Sequence, residues 1–481
     1  MKDRSSIIFG NPIDKKTLKK AEKSKAKFIK RFGDDSKKEY HLALKPIPCL
    51  SHMGVSELVS SDKPFQWSEK AVVVGNIRMG FGHYRISMAI ASCAKAMGYE
   101  PYWFNLAGFE ATGSKMIRYQ NDLYSLASRI SSKSKLFNAL IWEPLNSEGF
   151  RKLTYNAADQ KNSELLVPLF ADFPKDVPYV ATHVWPSQGA VHAGLTHVVN
   201  AIPDNWPMAL HLSEGAIHTV QTPFAYLGYK MMNGFAKTPL KGMDDDSLFE
   251  VGHYVDHELV ANLEEDTKSR LERIDSDKPL RLLFSVGGAG AGAKSLLESL
   301  KKLSPYIKEG KIAVFLNFGD HKNVYEYLCK KDAELMKDCH KFFDEYGKIE
   351  ELVKELRTAD AKGIYCFYNS DIFEAVYSSN LLMRVSDILL TKPSELSFYP
   401  IPKIFTKHIG GHEAYGAIHG AEYGDGSFEV PEVKSQHEMT VRLISDKELL
   451  RHINRNILKL KSEGLYDGGY KAVELAVKGK E

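Results

Sequence analysis

Paired cysteines, long apolar runs and an excess of one charge are all missing from this chain. Its five cysteines (Cys49, Cys93, Cys329, Cys339, Cys366) are odd in number, widely spaced and without a CxxC pair. That excludes a disulfide scaffold and favours reduced thiols in a reducing compartment. No window approaches the ~18 uninterrupted apolar residues of a membrane-spanning helix, and the N-terminus lacks the apolar core of a secretory signal. The expected location is therefore cytoplasmic, either free or peripheral on a membrane. A net charge of only +3 over 481 residues argues against nucleic acid as a partner. Despite 17 histidines, no HExxH or comparable metal spacing occurs, so no metal is expected.

What is present is an α/β pattern met twice. A chain of 481 residues exceeds what one core usually organises. Residues 1–68 form a basic opening segment in which Lys15 to Lys38 holds eleven Lys or Arg side chains. Its sparse apolar residues (Leu18, Ala21, Ala26, Phe28, Ile29, Phe32) suit a weakly amphipathic helix, either plainly solvated or resting on a lipid surface. From Ala71, AVVVGNI reads as a buried strand, followed by a glycine turn, the helical ISMAIASCAKAMG and the strand PYWFNL. VPYVATH, THVVNAI, IHTVQTP and LFEVGHYVD continue the strands of a first domain, 69–262, the first two ending in residues that can face a cleft. The charged stretch Glu264 to Lys278 fits an interdomain linker. LRLLFSV, GGAGAGA, KSLLESLKKL and KIAVFLNFG restart the pattern in a second domain, 263–435, and 436–481 reads as terminal helices packing back across the cleft. Two Rossmann-like domains of this kind face each other across a crevice, where the carboxyl ends of the strands place ligands.

Three clusters carry chemistry. GNIRMGFGHYRIS (Gly75 to Ser87) sets Gly80 and Gly82 before a helix N-terminus, a combination that favours an oxygen-rich or anionic ligand, although glycine also suits a plain βα turn. His83 at that junction is expected to be exposed at the sheet edge and to titrate near neutrality, with a structural histidine as the rival reading. SVGGAGAG (Ser285 to Gly292) brings Gly287, Gly288 and Gly290 after an apolar strand, with no Walker lysine and no Rossmann acid, so a diphosphate held by backbone amides fits better than an ATPase. SDILLTKPSEL and KIFTKHIGGHEAYGA hold Lys392, Ser394, Glu395, His408, Gly410, Gly411, His412 and Glu413. A carboxylate accepts two hydroxyl hydrogen bonds from a sugar diol, and Lys or His suits developing phosphate charge.

GNIRMGFGH followed by a helix, and SDILLTKPSEL followed by GGHEAYGA, resemble two motifs of the GT-B glycosyltransferases. They are nearest to the group of monogalactosyldiacylglycerol synthase, processive diacylglycerol glucosyltransferase and the lipid II-forming N-acetylglucosaminyltransferase. The resemblance runs in order from about residue 70 to 480. It implies that His83 lies near the acceptor and the leaving phosphate, that Gly287, Gly288 and Gly290 face a donor diphosphate, and that Glu413 holds hexose hydroxyls, with His412 where the group has glutamine. It also places VVNAIPDNWPMALHL, with Asp204 and His211, on the acceptor side, so that Asp204 or His83 is the general base. Three departures stand out: the helix after Thr391 is cut short by Pro400 and Pro402, Pro393 and Ser394 replace a glycine pair, and Glu395 falls only loosely on the ribose-holding acid. The implied activity is inverting hexosyl transfer from a UDP-sugar to a hydroxyl acceptor, which can be a lipid at a membrane reached through the Lys15 to Lys38 segment. A UDP-sugar 2-epimerase or hydrolase and a non-catalytic nucleotide-sugar-binding relative are the alternatives.

Overall fold

The computed structural model describes residues 3–133, 149–287, 290 and 292–479. A two-residue hairpin (β1 Ile7–Ile8, β2 Asn11–Pro12) precedes helix α1, Lys15–Phe32, whose N-cap Asp14 accepts the Thr17 N–H at 3.0 Å. The first sheet then collects β3 (His41–Pro46), β4 (Ser56–Ser61), β5 (Ala71–Asn76), β6 (Glu100–Asn105), β7 (Tyr179–Ala181), β8 (Val198–Ala201), β9 (Ile217–Val220) and β10 (Leu248–Glu250). Their spatial order is β10-β9-β8-β7-β5-β6-β4-β3, parallel throughout except for the antiparallel β3–β4 pair. The second sheet holds β11 (Leu280–Ser285), β12 (Ile312–Asn317), β13 (His340–Phe343), β14 (Gly363–Tyr368), β15 (Ile388–Thr391), β16 (Lys403–Phe405) and β17 (Gly426–Glu429). Its order is β13-β14-β12-β11-β15-β16-β17, all parallel.

The α/β architecture of two Rossmann-like domains is thus present, and each sheet has a reversal point, where the connections from two neighbouring strands leave in opposite directions. In the first sheet that point lies between β5 and β7, in the second between β11 and β15. Crevices open there because the flanking connections leave on opposite sides.

Two sequence expectations are corrected. Residues 41–61 are no extension, since β3 and β4 complete one side of the first sheet. Lysine, proline and serine disguise them, and such residues are tolerated at a sheet margin. Residues 264–278 are no linker, since Leu263–Asp275 is a helix whose charges are answered within the second domain. Arg273 binds Asp387 through N–H···O contacts of 2.8 and 3.0 Å, and Asp266 accepts from Arg384 Nε at 3.0 Å. The crossing between sheets is instead the segment after β10, where the Gly468 N–H donates to the His253 carbonyl at 3.0 Å.

The terminal helix Gly468–Lys478 returns to the first domain. Its Ala472, Val473 and Ala476 share a core with Ile86, Met88, Ala89 and Ile90 of helix α2, Gly82–Ala96, and with Val376 and Tyr377 of the second domain. Helix α2 is therefore covered on nearly every side, which explains its almost continuous apolar run.

Candidate functional site

The loop leaving β5 turns at Gly80, whose φ of +72° suits glycine, and feeds α2. His83 sits in the first turn of that helix. Its Nδ1 lies 2.6 Å from the Thr182 carbonyl just beyond β7. The Ser87 hydroxyl ties the same helix to the end of β7, donating to the His83 carbonyl at 2.8 Å and standing 2.8 Å from Thr182 Oγ1. His83 is partly buried rather than exposed, and burial lowers its pKa, opposed by the Thr182 carbonyl and the Asp204 charge. It is therefore a neutral imidazole at neutral pH. The expectation of an exposed imidazole is thus corrected, and its titration is moved down from the ordinary value by burial.

Asp204 follows β8, with its Oδ2 3.0 Å from His211 Nε2. Burial alone would raise its pKa. The His211 contact and the fields of His412 and His83 outweigh that and hold the carboxyl well below the usual range. His211 is buried, so it supports Asp204 as well as the core.

From the second domain, Lys392 follows β15 at the reversal point. Its ammonium pairs with Glu413, which also accepts the Ile409 N–H at 2.8 Å. Burial works against both charges, but each partner outweighs it, so Lys392 is raised and Glu413 lowered. The Lys392 stem crosses Gly287 in the β11 loop so closely that a Cβ on that glycine would stand 2.8 Å from Lys392 Cε. Gly290 carries a φ of +61° and abuts His321. Glu395 turns toward the first domain, with Oε1 3.7 Å from Arg85 Nε and Oε2 3.5 Å from where a Cβ on Gly82 would be. The helix after β15 is only a short 3-10 turn, Glu395–Phe398.

These groups meet in one cleft of about 540 Å³ between the domains. Gly80, Gly82, His83 and Asp204 line it from one side, and Lys392, Ser394, Glu395, His412 and Glu413 from the other. A second cavity of about 260 Å³ opens behind it, lined by Gly287, Ser295, Thr391 and His408, and the two share Lys392 and Ile409. Gly411 begins the turn Gly411–Glu413 beside the cleft, and Gly288 lies outside the described residues.

The sequence reading missed four groups. His183, on the strand end of VPYVATH, lines the cleft beside His83, and His321 lines it from the second domain. Arg78 and Arg85, within the first glycine motif, reach the second domain outside the cleft lining. Arg78 pairs with Asp320 at 2.5 Å, and Arg85 is buried against Asn380 and Ser379. Phe81 covers Gly319, and Asn205 donates to the Tyr415 carbonyl at 3.0 Å. Among the described residues no group of three or more His, Cys, Asp or Glu side chains is placed to hold a metal ion.

No curated protein matches the chain. Among solved structures it is similar to UDP-GlcNAc 2-epimerase from Neisseria meningitidis bound to UDP-GlcNAc, at 12% identity and a TM-score of 0.46, over 85% of this chain and 100% of that one. It is also similar to S. aureus MnaA in its co-structure with UDP, at 12% identity and a TM-score of 0.43, over 82% and 94%. A glycosyltransferase from Rickettsia africae ESF-5 follows at 15% identity and a TM-score of 0.42, over 85% and 99%. By family, residues 7–231 match the model described as Domain of unknown function (DUF6937), and residues 243–477 the one described as Domain of unknown function (DUF6938).

Proposed function

We propose that the chain binds a UDP-sugar across its two reversal points and transfers the hexosyl group, with inversion, to a hydroxyl acceptor. The observation that carries this reading is that His83 and Lys392 open on the same cleft from opposite domains, a neutral base facing a cation. The diphosphate lies at Gly287 and Lys392, where the two cavities join, with the nucleoside directed into the rear cavity and the hexose toward Glu413 and His412. Lys392, crossing Gly287, meets the charge that grows on the departing diphosphate. His83 takes the acceptor proton. Glu413, ionised and half-committed to Lys392, accepts hydrogen bonds from the hexose hydroxyls.

A lipid acceptor is supported by an exposed apolar row on helix Pro223–Met231, made of Phe224, Leu227 and Met231. Phe224 stacks with Tyr415 and Trp206, which adjoin the cleft residues Gly416 and Asn205.

A second reading, 2-epimerisation or hydrolysis of the UDP-sugar, is favoured by the number of acid–base groups around one cavity: His83, His183 and the Asp204–His211 pair. Calorimetric titration with UDP tests the common site, and failure to bind any nucleoside diphosphate overturns both readings. Product analysis with UDP-glucose, UDP-galactose and UDP-N-acetylglucosamine, with and without diacylglycerol and soluble acceptors, separates them: a glycosylated acceptor marks transfer, and an epimerised UDP-sugar or acceptor-independent UDP release marks the second reading. Replacing His83 by Ala lowers turnover by roughly 100-fold or more while UDP affinity stays within a few-fold.

A further inference from the structure

His83, in the first turn of the helix that follows β5, and His183, just beyond β7, have ring centroids 4.8 Å apart and planes crossing at 76°. Their hydrogen bonds fix opposite tautomers. His83 Nδ1 faces the Thr182 carbonyl at 2.6 Å. A carbonyl only accepts, so this nitrogen carries the proton and Nε2 is left with its lone pair. His183 Nδ1 instead caps the helix Val184–His192, lying 3.2 Å from the Trp185 N–H. A backbone N–H only donates, so Nδ1 is the acceptor here and the proton sits on Nε2. Among the described residues neither Nε2 makes a hydrogen bond, and both rings line the cleft.

Burial pushes both imidazoles down, His183 well below its ordinary value, so neither ring is charged at neutral pH. The remaining groups that act on them are Asp204, His211 and Glu395.

We propose that the two histidines clamp a single substrate hydroxyl, His83 Nε2 accepting its proton while the His183 Nε2–H donates to the same oxygen. This rests on the functional reading given above. As the oxygen bonds to the anomeric carbon, its O–H pair is released and the proton moves to His83 Nε2. The bond from that carbon to the diphosphate breaks, and UDP leaves with the bonding pair. The imidazolium formed is held by the Thr182 carbonyl and by the field of ionised Asp204, and it returns its proton to water after UDP departs. His183 keeps its proton throughout and aims the attacking lone pair. The arrangement selects a nucleophile that donates and accepts through one atom, an alcohol or water.

The tautomers are read directly by long-range 1H–15N correlation on histidine-labelled, full-length protein without ligand, with signals assigned through the variants His83→Gln and His183→Asn. The expected result is Nδ1–H on His83 and Nε2–H on His183. The same tautomer on both rings, or Nε2–H on His83, overturns the proposal whether or not the protein binds UDP. Kinetics supply the second arm, with UDP release from the UDP-sugars as readout. His183→Asn keeps a helix cap but places no donor at the Nε2 position, whereas His183→Gln puts an amide N–H there and gives up the cap. The expected pattern is a roughly 100-fold fall in turnover for His183→Asn at near-normal Tm, and most of the turnover kept for His183→Gln at lower Tm. Turnover lost equally in both variants, or tracking Tm, overturns the clamp. Unchanged UDP affinity in both variants keeps that outcome apart from failure of the donor site.

Discussion

The guanidinium of Arg85, rooted in the first domain, lies 2.9 Å from Asn380 Oδ1 in the second and is almost wholly buried there. It also donates to the Val376 carbonyl at 3.3 Å and to Ser379 Oγ at 3.4 Å, with Glu395 3.7 Å away and the Tyr399 ring 5.9 Å below. A buried cation satisfied mainly by neutral acceptors holds two surfaces in register, and its removal strands those acceptors. Arg85→Met is expected to cost about 2–4 kcal/mol and to separate the unfolding of the two domains. Calorimetric melting checks this, and a single unshifted transition would show that the latch contributes nothing.

Lys392 is the hinge of the ligand reading because it touches both cavities. Lys392→Met removes the charge and leaves Glu413 buried and unpaired, so UDP affinity is expected to fall by roughly 10- to 100-fold, about 1.5–3 kcal/mol. Gly287→Ala acts on the same group from below, since its Cβ would meet the Lys392 stem at 2.8 Å. Titration of both variants with UDP should give losses in the same direction. The flexible stem can yield, so Gly287→Ala should retain near-normal Tm.

How far the sequence displayed all this depended on periodicity. Buried parallel strands such as AVVVGNI and KIAVFLNFG declare themselves as apolar runs, and both are strands in the fold. Pairing across sequence distance does not declare itself. The charges of Leu263–Asp275 look like solvent-facing linker until Asp387 and Arg384 are seen opposite them. The glycine loops and Lys392, Glu395 and Glu413 could be picked out because their residue types suit one kind of chemistry. His183 could not, since one imidazole at a strand end has no local partner in the sequence, and only the fold places His83 beside it.

Acid acts against the fold through its buried histidines. Burial holds His183 and His253 well below their ordinary value, His192 at about 4 and His419 at about 3, the last also repelled by Lys403. Such rings stay neutral in the folded chain while the unfolded chain protonates them below pH ~6.5, so their contribution is intact above that pH and is lost as it falls. Asp159 and Asp256, raised to about 7 by burial, act in the opposite sense and favour the fold as pH drops from 7 toward 4. Each group changes stability by on the order of 2 kcal/mol between pH 7 and pH 5. Glu57, Glu250, Glu374 and Asp425 are also raised by burial and pull the same way as the two aspartates, so the histidine share is read by substitution: His192→Gln is expected to shift Tm between pH 7 and pH 5 in the stabilising direction relative to the unchanged chain. Proton uptake on unfolding, read from the pH dependence of Tm, fixes the sign.

The basic face of α1 makes the final prediction. Ala21 and Phe28 of this helix are buried, and Phe28 packs on Phe32 and Tyr119, so its apolar side is committed to the first domain's core and has no surface left to insert into lipid. Lys16, Lys19, Lys20, Lys23, Lys27 and Lys30 remain exposed. Attraction to an anionic surface is then purely electrostatic, ~1 kcal/mol per lysine near the membrane, and screened by salt. The chain is expected to float with phosphatidylserine-containing vesicles at low ionic strength and to dissociate at about 0.5 M salt. The combined change Lys16, Lys19, Lys20 and Lys23→Gln should abolish flotation without altering UDP affinity. Binding to neutral vesicles that survives high salt would instead identify Phe224, Leu227 and Met231 as the lipid contact, because only an apolar row is indifferent to screening.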